Sequence, residues 1–296
     1  MLRYHMVVVT RDSELRRAVR KLTTSTGSSA QFVTTSASIT AGERPIDLAI
    51  FDAREDAPSN KFLDAVPADA KILYIISGDR LVDHLHLLAD PRVCSLFYHD
   101  QRFDDNEFIC AATKALRSEL FGLQKYFPWG VTTFTMTVRS HAHKARAIDV
   151  LMRFAKLAGV RASVRDRIQL VVDELLMNAL YHAPMDADGK PLYADTSPRE
   201  LAAREQLQPV QLQYGCSGQY FGVAVRDGGG SLTRVKTLDY LKRAGQETQI
   251  EDKASGAGLG LLSVMQSVSK LVFNLEPGYS TEVIGLFDME LFAKGK

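Results

Sequence analysis

Three short segments, far apart along this chain of 296 residues, constrain its fold more than any other feature. They are DELLMNALYH at 173–182, VRDGGG at 225–230 and GAGLGL at 256–261. A glycine-rich segment on its own usually marks an ordinary turn, so the third segment alone would be weak support for a site. The three segments in this order, each with its own chemistry, are much stronger support for one shared site.

These segments resemble the N, G1 and G2 boxes of the GHKL superfamily of ATP-binding domains, which includes histidine kinases and anti-sigma-factor serine kinases. A fourth segment, PGYSTEV at 277–283, resembles the PxxGTxV segment that closes these domains. The resemblance covers about residues 131–291. It implies a GHKL α/β sandwich, also called a Bergerat fold, with ATP and Mg²⁺ as cofactors.

The first segment places Glu174 and Asn178 four residues apart on a helix predicted at 163–182, so they share one face. The amide oxygen of asparagine suits Mg²⁺ held among waters and phosphate oxygens. By the resemblance, Asn178 is the metal ligand and Glu174 the general base; a solvated helix face is the alternative. His182, four residues further on, either lies near the phosphates or interacts with the helix dipole at the C-terminus.

The second segment carries Asp227 at the end of a predicted strand. By the resemblance, this residue accepts a hydrogen bond from the adenine amino group, and Gly229 lets the backbone approach the nucleotide. The family pattern is DxGxG, and Ser231 stands where the last glycine is expected. A surface turn is the alternative for an isolated Asp-Gly-Gly-Gly segment.

The third segment offers Gly256, Gly258 and Gly260 at the start of a predicted helix. Backbone N–H groups at a helix N-terminus form an anion site suited to a triphosphate. By the resemblance, the polar residues 246–255 form a lid over ATP. Thr281, in the closing segment, is expected at the edge of the adenine.

Strand and helix patterns alternate through the first 120 or so residues. Apolar runs of strand length occur at 6–9, 47–51, 71–76 and 94–98. This alternation, which ends in a helix predicted at 105–125, indicates βαβ units and a parallel sheet. The segment YFPWG breaks the pattern, so we predict domains at 1–125 and 131–296 with a linker at 126–130.

The second domain begins with a β-branched run that predicts a strand at 132–138, followed by a helix at 140–157 capped by Ser140 and a second helix at 163–182. Three prolines make 184–208 a predicted loop or insertion. The remaining predicted elements are a hairpin, two helices and two strands, at 210–226, 232–244, 258–268, 271–275 and 282–291. The overall fold class expected is α/β.

The first domain resembles a response-regulator receiver, a flavodoxin-like fold. Asp52 ends a strand where a receiver carries its phosphoacceptor, but Thr10 and Arg11 replace the acidic pair that holds Mg²⁺, which leaves only Asp12. Phosphoryl transfer to Asp52 then lacks its main electrostatic support. We therefore predict a pseudo-receiver that acts as an interaction module.

Composition excludes several classes of function. The net charge of +1 gives no support for nucleic acid as a direct partner. No apolar run approaches the roughly 18 residues that a membrane helix needs, and the first residues lack the pattern of a signal peptide. The three cysteines, Cys94, Cys110 and Cys216, have no metal-ligand spacing. We expect a cytoplasmic protein without a membrane partner.

The second domain looks most like the anti-sigma-factor serine kinases. His141 and His143 lack the neighbours of a phosphoacceptor motif. The resemblance implies a serine/threonine kinase whose client is a sigma factor, a STAS-domain antagonist or another two-component signalling protein, with a homodimer as a possible assembly. Two alternatives stay open: an ATP-gated regulator that transfers no phosphate, and a split histidine kinase without its own acceptor domain.

Overall fold

The computed structural model describes residues 3–35, 37–40, 44–54, 59–77, 81–99, 103–186, 188–193, 195–246 and 259–290. The chain divides into two compact units, Met1–Leu120 and Phe121–Lys296, which we call unit 1 and unit 2. Among the described residues, no helix combines the length and the apolar character needed to cross a bilayer.

Unit 1 contains a five-stranded parallel sheet with the strand order β2-β1-β3-β4-β5. Its strands are β1 Tyr4–Val9, β2 Ser28–Val33, β3 Leu48–Asp52, β4 Lys71–Ile76 and β5 Val93–Tyr98. This order is that of flavodoxin-like proteins, to which receivers belong. The predicted parallel sheet is confirmed.

Helices cover both faces of this sheet. They are α1 Ser13–Thr23, α2 Ala37–Thr40, α3 Asn60–Ala65, α4 Leu81–His84 and α5 Asp105–Arg117. Successive strand residues point to opposite faces, so Met6 and Val8 pack with α1 and α5, whereas Val7 packs in the cluster on the other face. Both faces are apolar for this reason, which gives the continuous apolar runs seen in the sequence.

One prediction for unit 1 needs correction, and one strand was not predicted. The helix predicted at 105–125 ends at Arg117, because Ser118 adopts a left-handed conformation with φ of +55° and terminates it. The strand β2 was not predicted, because its central residues are only half-buried and its sequence, SSAQFV, lacks an apolar run. Its place in the sheet depends on pairing with β1.

Unit 2 contains a five-stranded sheet with the order β6-β7-β8-β10-β9, in which every pair of neighbours is antiparallel. Its strands are β6 Thr133–Val138, β7 Val210–Cys216, β8 Tyr220–Asp227, β9 Lys270–Glu276 and β10 Ser280–Asp288. Its helices are α6 His141–Leu157, α7 Ala162–Met177, α8 Pro198–Ala203, α9 Arg234–Gln246 and α10 Leu259–Ser267. The predicted α/β sandwich is confirmed.

One face of this sheet packs against α6, α7 and α10. The buried cluster joins Leu151 and Ile168 of the helices to Val223 and Val225 of β8. Ser140 caps α6 by accepting a hydrogen bond from the backbone of His143, as predicted for a helix that begins there.

The opposite face is covered by residues 121–127, which we call the strap. The strap contains a short 3₁₀ helix, Leu123–Tyr126. Leu123 and Phe127 of the strap pack against Ala224 of β8 and against Ile284 and Leu286 of β10. Phe127 lies inside the predicted linker at 126–130, yet its side chain belongs to the buried core of unit 2.

The predicted loop at 184–208 is partly wrong. It contains the helix α8, whose first turn is closed by a capping box between Ser197 and Glu200. Tyr193 and Leu207 join the main apolar cluster of unit 2. The three prolines suggested an irregular segment, but Pro198 occupies the first turn of α8, where proline is tolerated.

Candidate functional site

Glu174 lies in the last turn of α7, and Asn178 begins a π-helical turn, Asn178–His182. The backbone N–H of Ala183 donates to the carbonyl of Asn178 at 2.8 Å, the i to i+5 bond of a π-helix. The predicted helix at 163–182 therefore changes type at Asn178. Turns of this kind are frequent at functional sites.

The side chains of Glu174 and Asn178 are joined by a hydrogen bond. Asn178 Nδ2 donates to Glu174 Oε1 at 3.1 Å, and both side chains are half-buried. Only the NH₂ group of an amide can donate to a carboxylate, so this bond determines the orientation of Asn178. The amide oxygen, Oδ1, has no hydrogen to donate and bonds to no other described residue.

Asp173 is engaged elsewhere. Its carboxylate forms an ion pair with Lys144, with 2.8 Å between Nζ and Oδ1. The Lys144 side chain is 7% exposed, so the pair ties the outer side of α7 to α6. Of the two adjacent carboxylates, Glu174 is the one that shares a contact with Asn178.

Asp227 ends β8 and lies directly opposite Thr281 of β10. Both residues are buried, and among the described residues the hydroxyl of Thr281 has no hydrogen-bond partner. Burial raises the pKa of Asp227, and hydrogen bonds from the N–H groups of Gly229 and Gly230 oppose this rise. A buried hydroxyl without a partner next to a buried carboxylate is a polar surface suited to a ligand.

The turn after Asp227 uses one carboxylate oxygen. Oδ1 accepts from Gly229 N at 2.9 Å and from Gly230 N at 3.2 Å, whereas Oδ2 bonds to no other described residue. The glycine that this turn requires is Gly230, which sequence analysis did not single out. Its φ is +56°, and a Cβ there would overlap the backbone nitrogen of Tyr279.

The fold brings the separate segments together through close backbone approaches. A Cβ on Gly260, in the first turn of α10, would overlap the carboxylate of Glu174. A Cβ on Gly229 would lie 3.4 Å from the carbonyl oxygen of Ala183, at the end of the π-helical turn. Glu174 of the first segment therefore lies against the third segment, and Ala183, the residue directly after the first segment, lies against the second.

Three predicted site residues remain to be located: His182, Gly256 and Gly258. His182 is exposed and, with His141, Tyr181 and Tyr193, lines a cavity of about 390 Å³. Within the described part of the chain, no hydrogen bond joins His182 to Glu174 or Asn178. Gly256, Gly258 and almost all of the predicted lid at 246–255 lie outside the described residues.

The residues that are described fit ATP and Mg²⁺. Asp227 Oδ2 and Thr281 Oγ1 are the acceptor and hydroxyl that an adenine edge needs, and Gly230 keeps a side chain out of the turn. Asn178 and Glu174 supply oxygen atoms, which are the ligands that Mg²⁺ prefers. The described residues contain no cluster of three or more His, Cys, Asp or Glu able to hold a metal.

Comparison with known families gives the same assignment. Residues 138–278 match the family model described as a histidine kinase-like ATPase domain. This part of unit 2 is a histidine kinase-like ATPase domain. The match spans all three segments from which the site was predicted, and it includes Glu174, Asn178 and Asp227. No curated protein sequence matches the chain significantly.

Solved structures similar to parts of the chain include two receiver proteins and one complex. A response regulator receiver domain protein from Clostridium thermocellum is 13% identical, with 40% of this chain and 97% of that chain covered and a TM-score of 0.33. A response regulator receiver protein from Burkholderia phymatum is 21% identical, with coverages of 38% and 95% and a TM-score of 0.31.

A chain of the SiaB-SiaC complex from Pseudomonas aeruginosa is 16% identical to this chain. The comparison covers 53% of this chain and 89% of that one, with a TM-score of 0.34. Because all three TM-scores lie below 0.5, the receiver-like fold of unit 1 is assigned on its own strand order, 2-1-3-4-5.

Unit 1 carries a second polar cluster at the end of β3. Arg54 donates to Asp52 Oδ1 at 2.8 Å and to Asp12 Oδ2 at 2.6 Å, so its guanidinium bridges the two carboxylates. Thr10 donates its hydroxyl hydrogen to Asp52 Oδ2 at 2.7 Å. Sequence analysis noted Asp12, Asp52 and Thr10 but missed Arg54, whose position two residues after Asp52 was the available signal.

The bridge that Arg54 forms between Asp12 and Asp52 shifts the pKa values of all three residues. The hydrogen bond from Arg54 holds the pKa of Asp12 below its usual value. Burial alone would raise the pKa of Asp52, but hydrogen bonds from Arg54 and Thr10 outweigh it and lower the pKa. The two carboxylates in turn raise the pKa of Arg54. The guanidinium of Arg54 thus neutralises both carboxylates of this cluster.

Proposed function

We propose that this protein binds ATP with Mg²⁺ in its ATPase domain and transfers the γ-phosphoryl group to a serine or threonine hydroxyl of a partner protein. The observation that carries the proposal is the convergence of Glu174 with Asn178 and Gly260, and of Ala183 with Gly229. These residues come from three segments of the chain, and each supplies one part of a phosphoryl-transfer site.

In this proposal the adenine is bound between β8 and β10. Asp227 accepts the hydrogen of the adenine amino group, and Thr281 donates or accepts at the same edge. A purine that lacks this amino group would leave the buried carboxylate of Asp227 without its partner, which costs affinity. The site is therefore selective for adenine.

Glu174 acts as the general base. It takes the proton of the acceptor hydroxyl while that oxygen bonds to the γ-phosphorus and the bond to the leaving oxygen of ADP breaks. The hydrogen bond from Asn178 Nδ2 orients the carboxylate for this task. Asn178 Oδ1 would hold Mg²⁺, which neutralises charge on the phosphates when bound.

We further infer that unit 1 is a pseudo-receiver that binds partner proteins and does not accept phosphate. The bridge from Arg54 to Asp12 and Asp52 supports this, because it fills the acidic site with a permanent positive charge. The family resemblance of unit 2 suggests as partners a sigma factor, a STAS-domain antagonist or another two-component protein. A cytoplasmic location and a homodimer remain predictions from the sequence.

Calorimetric titration of the full chain with Mg-ATP tests the first part of the proposal. Wild type is expected to bind, and Asp227→Asn to bind at least about 10-fold more weakly, because a buried charged acceptor is lost. The matched control is Asp173→Asn, an adjacent carboxylate on the outer side of α7, which is expected to bind as wild type does. A folded wild type that does not bind Mg-ATP would refute the proposal.

Labelling with γ-³²P-ATP in a lysate of the source organism tests the transfer. Acid-stable phosphoserine or phosphothreonine that depends on Glu174 supports the kinase. Acid-labile phosphohistidine would instead indicate the split histidine kinase. Binding of ATP with no labelled acceptor, in wild type and Glu174→Gln alike, would indicate the ATP-gated regulator.

A further inference from the structure

Ser280 stands where the resembled closing segment has glycine, and its hydroxyl both accepts and donates a hydrogen bond. The residue is 2% exposed. Its Oγ accepts from Arg226 Nε at 2.8 Å and donates to the backbone carbonyl of Asp227 at 2.7 Å. A hydroxyl has one hydrogen to donate, an arginine can only donate and a carbonyl can only accept. The donor and acceptor roles are therefore fixed: Arg226 donates to Ser280, and Ser280 donates to Asp227.

Arg226 is itself held from the other side. Its guanidinium carbon lies 3.9 Å from the centre of the Phe121 ring, within the distance of a cation–π contact. Arg226 precedes Asp227 in β8, so the two side chains point to opposite faces of the sheet. Arg226 therefore lies on the face covered by the strap, behind the proposed adenine site.

The strap is anchored to the sheet by backbone hydrogen bonds next to Phe121. Gly122 N donates to both carboxylate oxygens of Glu282, at 3.1 and 3.0 Å, and Asn274 Nδ2 donates to one of them at 2.7 Å. Glu282 is 1% exposed. A carboxylate buried this deeply must be satisfied by such donors, so the start of the strap is held in one place.

We propose that Arg226 and Ser280 are positioning residues for adenine recognition, and that the strap holds them in place through Phe121. The inference rests on the proposed function of Asp227. In this arrangement the hydrogen bond from Ser280 fixes the backbone carbonyl of Asp227, and the N–H groups of the turn fix Oδ1 of its carboxylate. The other carboxylate oxygen, Oδ2, is therefore held in one orientation. The glycine of the family pattern could not form this connection, because it has no hydroxyl.

The test is calorimetric titration of the full chain with Mg-ATP and with Mg-ITP, which carries a carbonyl oxygen in place of the adenine amino group. Ser280→Ala is expected to weaken ATP binding by about 5- to 30-fold, the effect of one or two hydrogen bonds. Binding of ITP should change little, so the ratio of the two affinities falls. A purely structural role would weaken both nucleotides equally.

The control is Ser217→Ala, which removes a hydroxyl at the far end of the β7–β8 hairpin, where Ser217 bonds within its own turn. This variant should keep the wild-type ratio of ATP to ITP affinity. Phe121→Leu preserves apolar packing but removes the aromatic ring, and it should weaken ATP binding by about 2- to 5-fold. The double variant Phe121→Leu with Ser280→Ala should lose less ATP-binding free energy than the sum of the losses in the two single variants, as expected for coupled residues.

Two results would overturn the inference alone: an equal loss of affinity for both nucleotides in Ser280→Ala, which leaves the ATP to ITP ratio unchanged, or no loss of affinity for ATP in that variant. Failure of the wild type to bind ATP would overturn the proposed function and the inference together. The two failures are therefore distinguishable in one set of titrations. Circular dichroism of each variant, compared with wild type, verifies that the chain is folded.

Discussion

At the scale of residues, the proposed ATP site depends on places where backbone segments approach too closely for a side chain. Gly230 is the clearest case. Its carbonyl accepts from Gly278 N at 3.0 Å, and its Cα faces the backbone of Tyr279, so the turn after β8 is held against the turn between β9 and β10. The same turn orients Asp227.

Substitution of Gly230 tests this dependence. Gly230→Ala is expected to lower the free energy of unfolding by about 1–3 kcal/mol, because the residue has a positive φ and its Cβ would overlap backbone atoms. The matched control is Gly228→Ala, where a Cβ would meet no atom within 4 Å. Urea denaturation of both variants provides the comparison. An equal effect of the two substitutions would contradict the assigned role of Gly230.

At the scale of elements, the strap converts an exposed sheet face into a second buried layer. The sheet is shaped to receive it, since a Cβ on Gly222 would lie 2.7 Å from Phe127 Cζ and 3.0 Å from Leu123 Cδ1. The absence of a side chain at Gly222 therefore leaves the space in which the strap packs. The strap belongs to the core of unit 2 and does more than link two segments of sequence.

Removal of the strap's main aromatic anchor should be costly. Phe127→Ala is expected to destabilise unit 2 by about 3–5 kcal/mol, the usual range for a buried phenylalanine. The matched control is Trp129→Ala, two residues further on, because Trp129 is fully exposed and its loss should change stability by less than about 0.5 kcal/mol. Chemical denaturation followed by far-ultraviolet circular dichroism measures both. Similar effects of the two variants would show that the strap does not contribute to the core.

At the scale of the whole molecule, the chain combines a histidine kinase-like ATPase domain with a receiver-like unit whose acidic site holds its own cation. Asp12, Asp52 and Arg54 have side-chain exposures of 32%, 15% and 20%. The ion pairs are therefore partly shielded from water, so removal of one partner costs more than it does in a fully exposed pair. They also make the stability of unit 1 sensitive to acid.

The sign of the pH dependence follows from the lowered pKa values of Asp12 and Asp52. Their contribution to stability is present above the unfolded pKa of about 3.9, and it is lost as the pH falls through the folded values. Arg54→Met should cost about 1–3 kcal/mol at neutral pH and remove much of this acid dependence. Denaturation at a series of pH values measures both effects.

The matched control for that experiment is Arg11→Met. Arg11 is exposed and lies next to Asp12 in sequence, but among the described residues the ion pairs of Asp12 and Asp52 are made with Arg54. This variant should retain the wild-type pH dependence. If Arg54→Met and wild type lost stability in parallel as the pH fell, the bridge would not be the source of the acid sensitivity.

Much of the fold could be predicted from local patterns. Apolar runs located β1, β3 and β4 within about two residues, and the cap at Ser140 located the start of α6, because these signals depend on neighbours in sequence. The strand β2 and the end of α5 could not be predicted in this way. The first depends on pairing with β1, and the second on the left-handed conformation of Ser118.

The fold class of both units, and the order of the segments that carry Glu174, Asn178 and Asp227, could be predicted from local spacing and residue chemistry. Three relations became visible only in the folded chain. Arg54 bridges two carboxylates, Gly230 needs to be glycine, and Ser280 connects Arg226 to Asp227. These relations join atoms from different strands and turns, and their distances depend on strand register and packing, which no local pattern encodes.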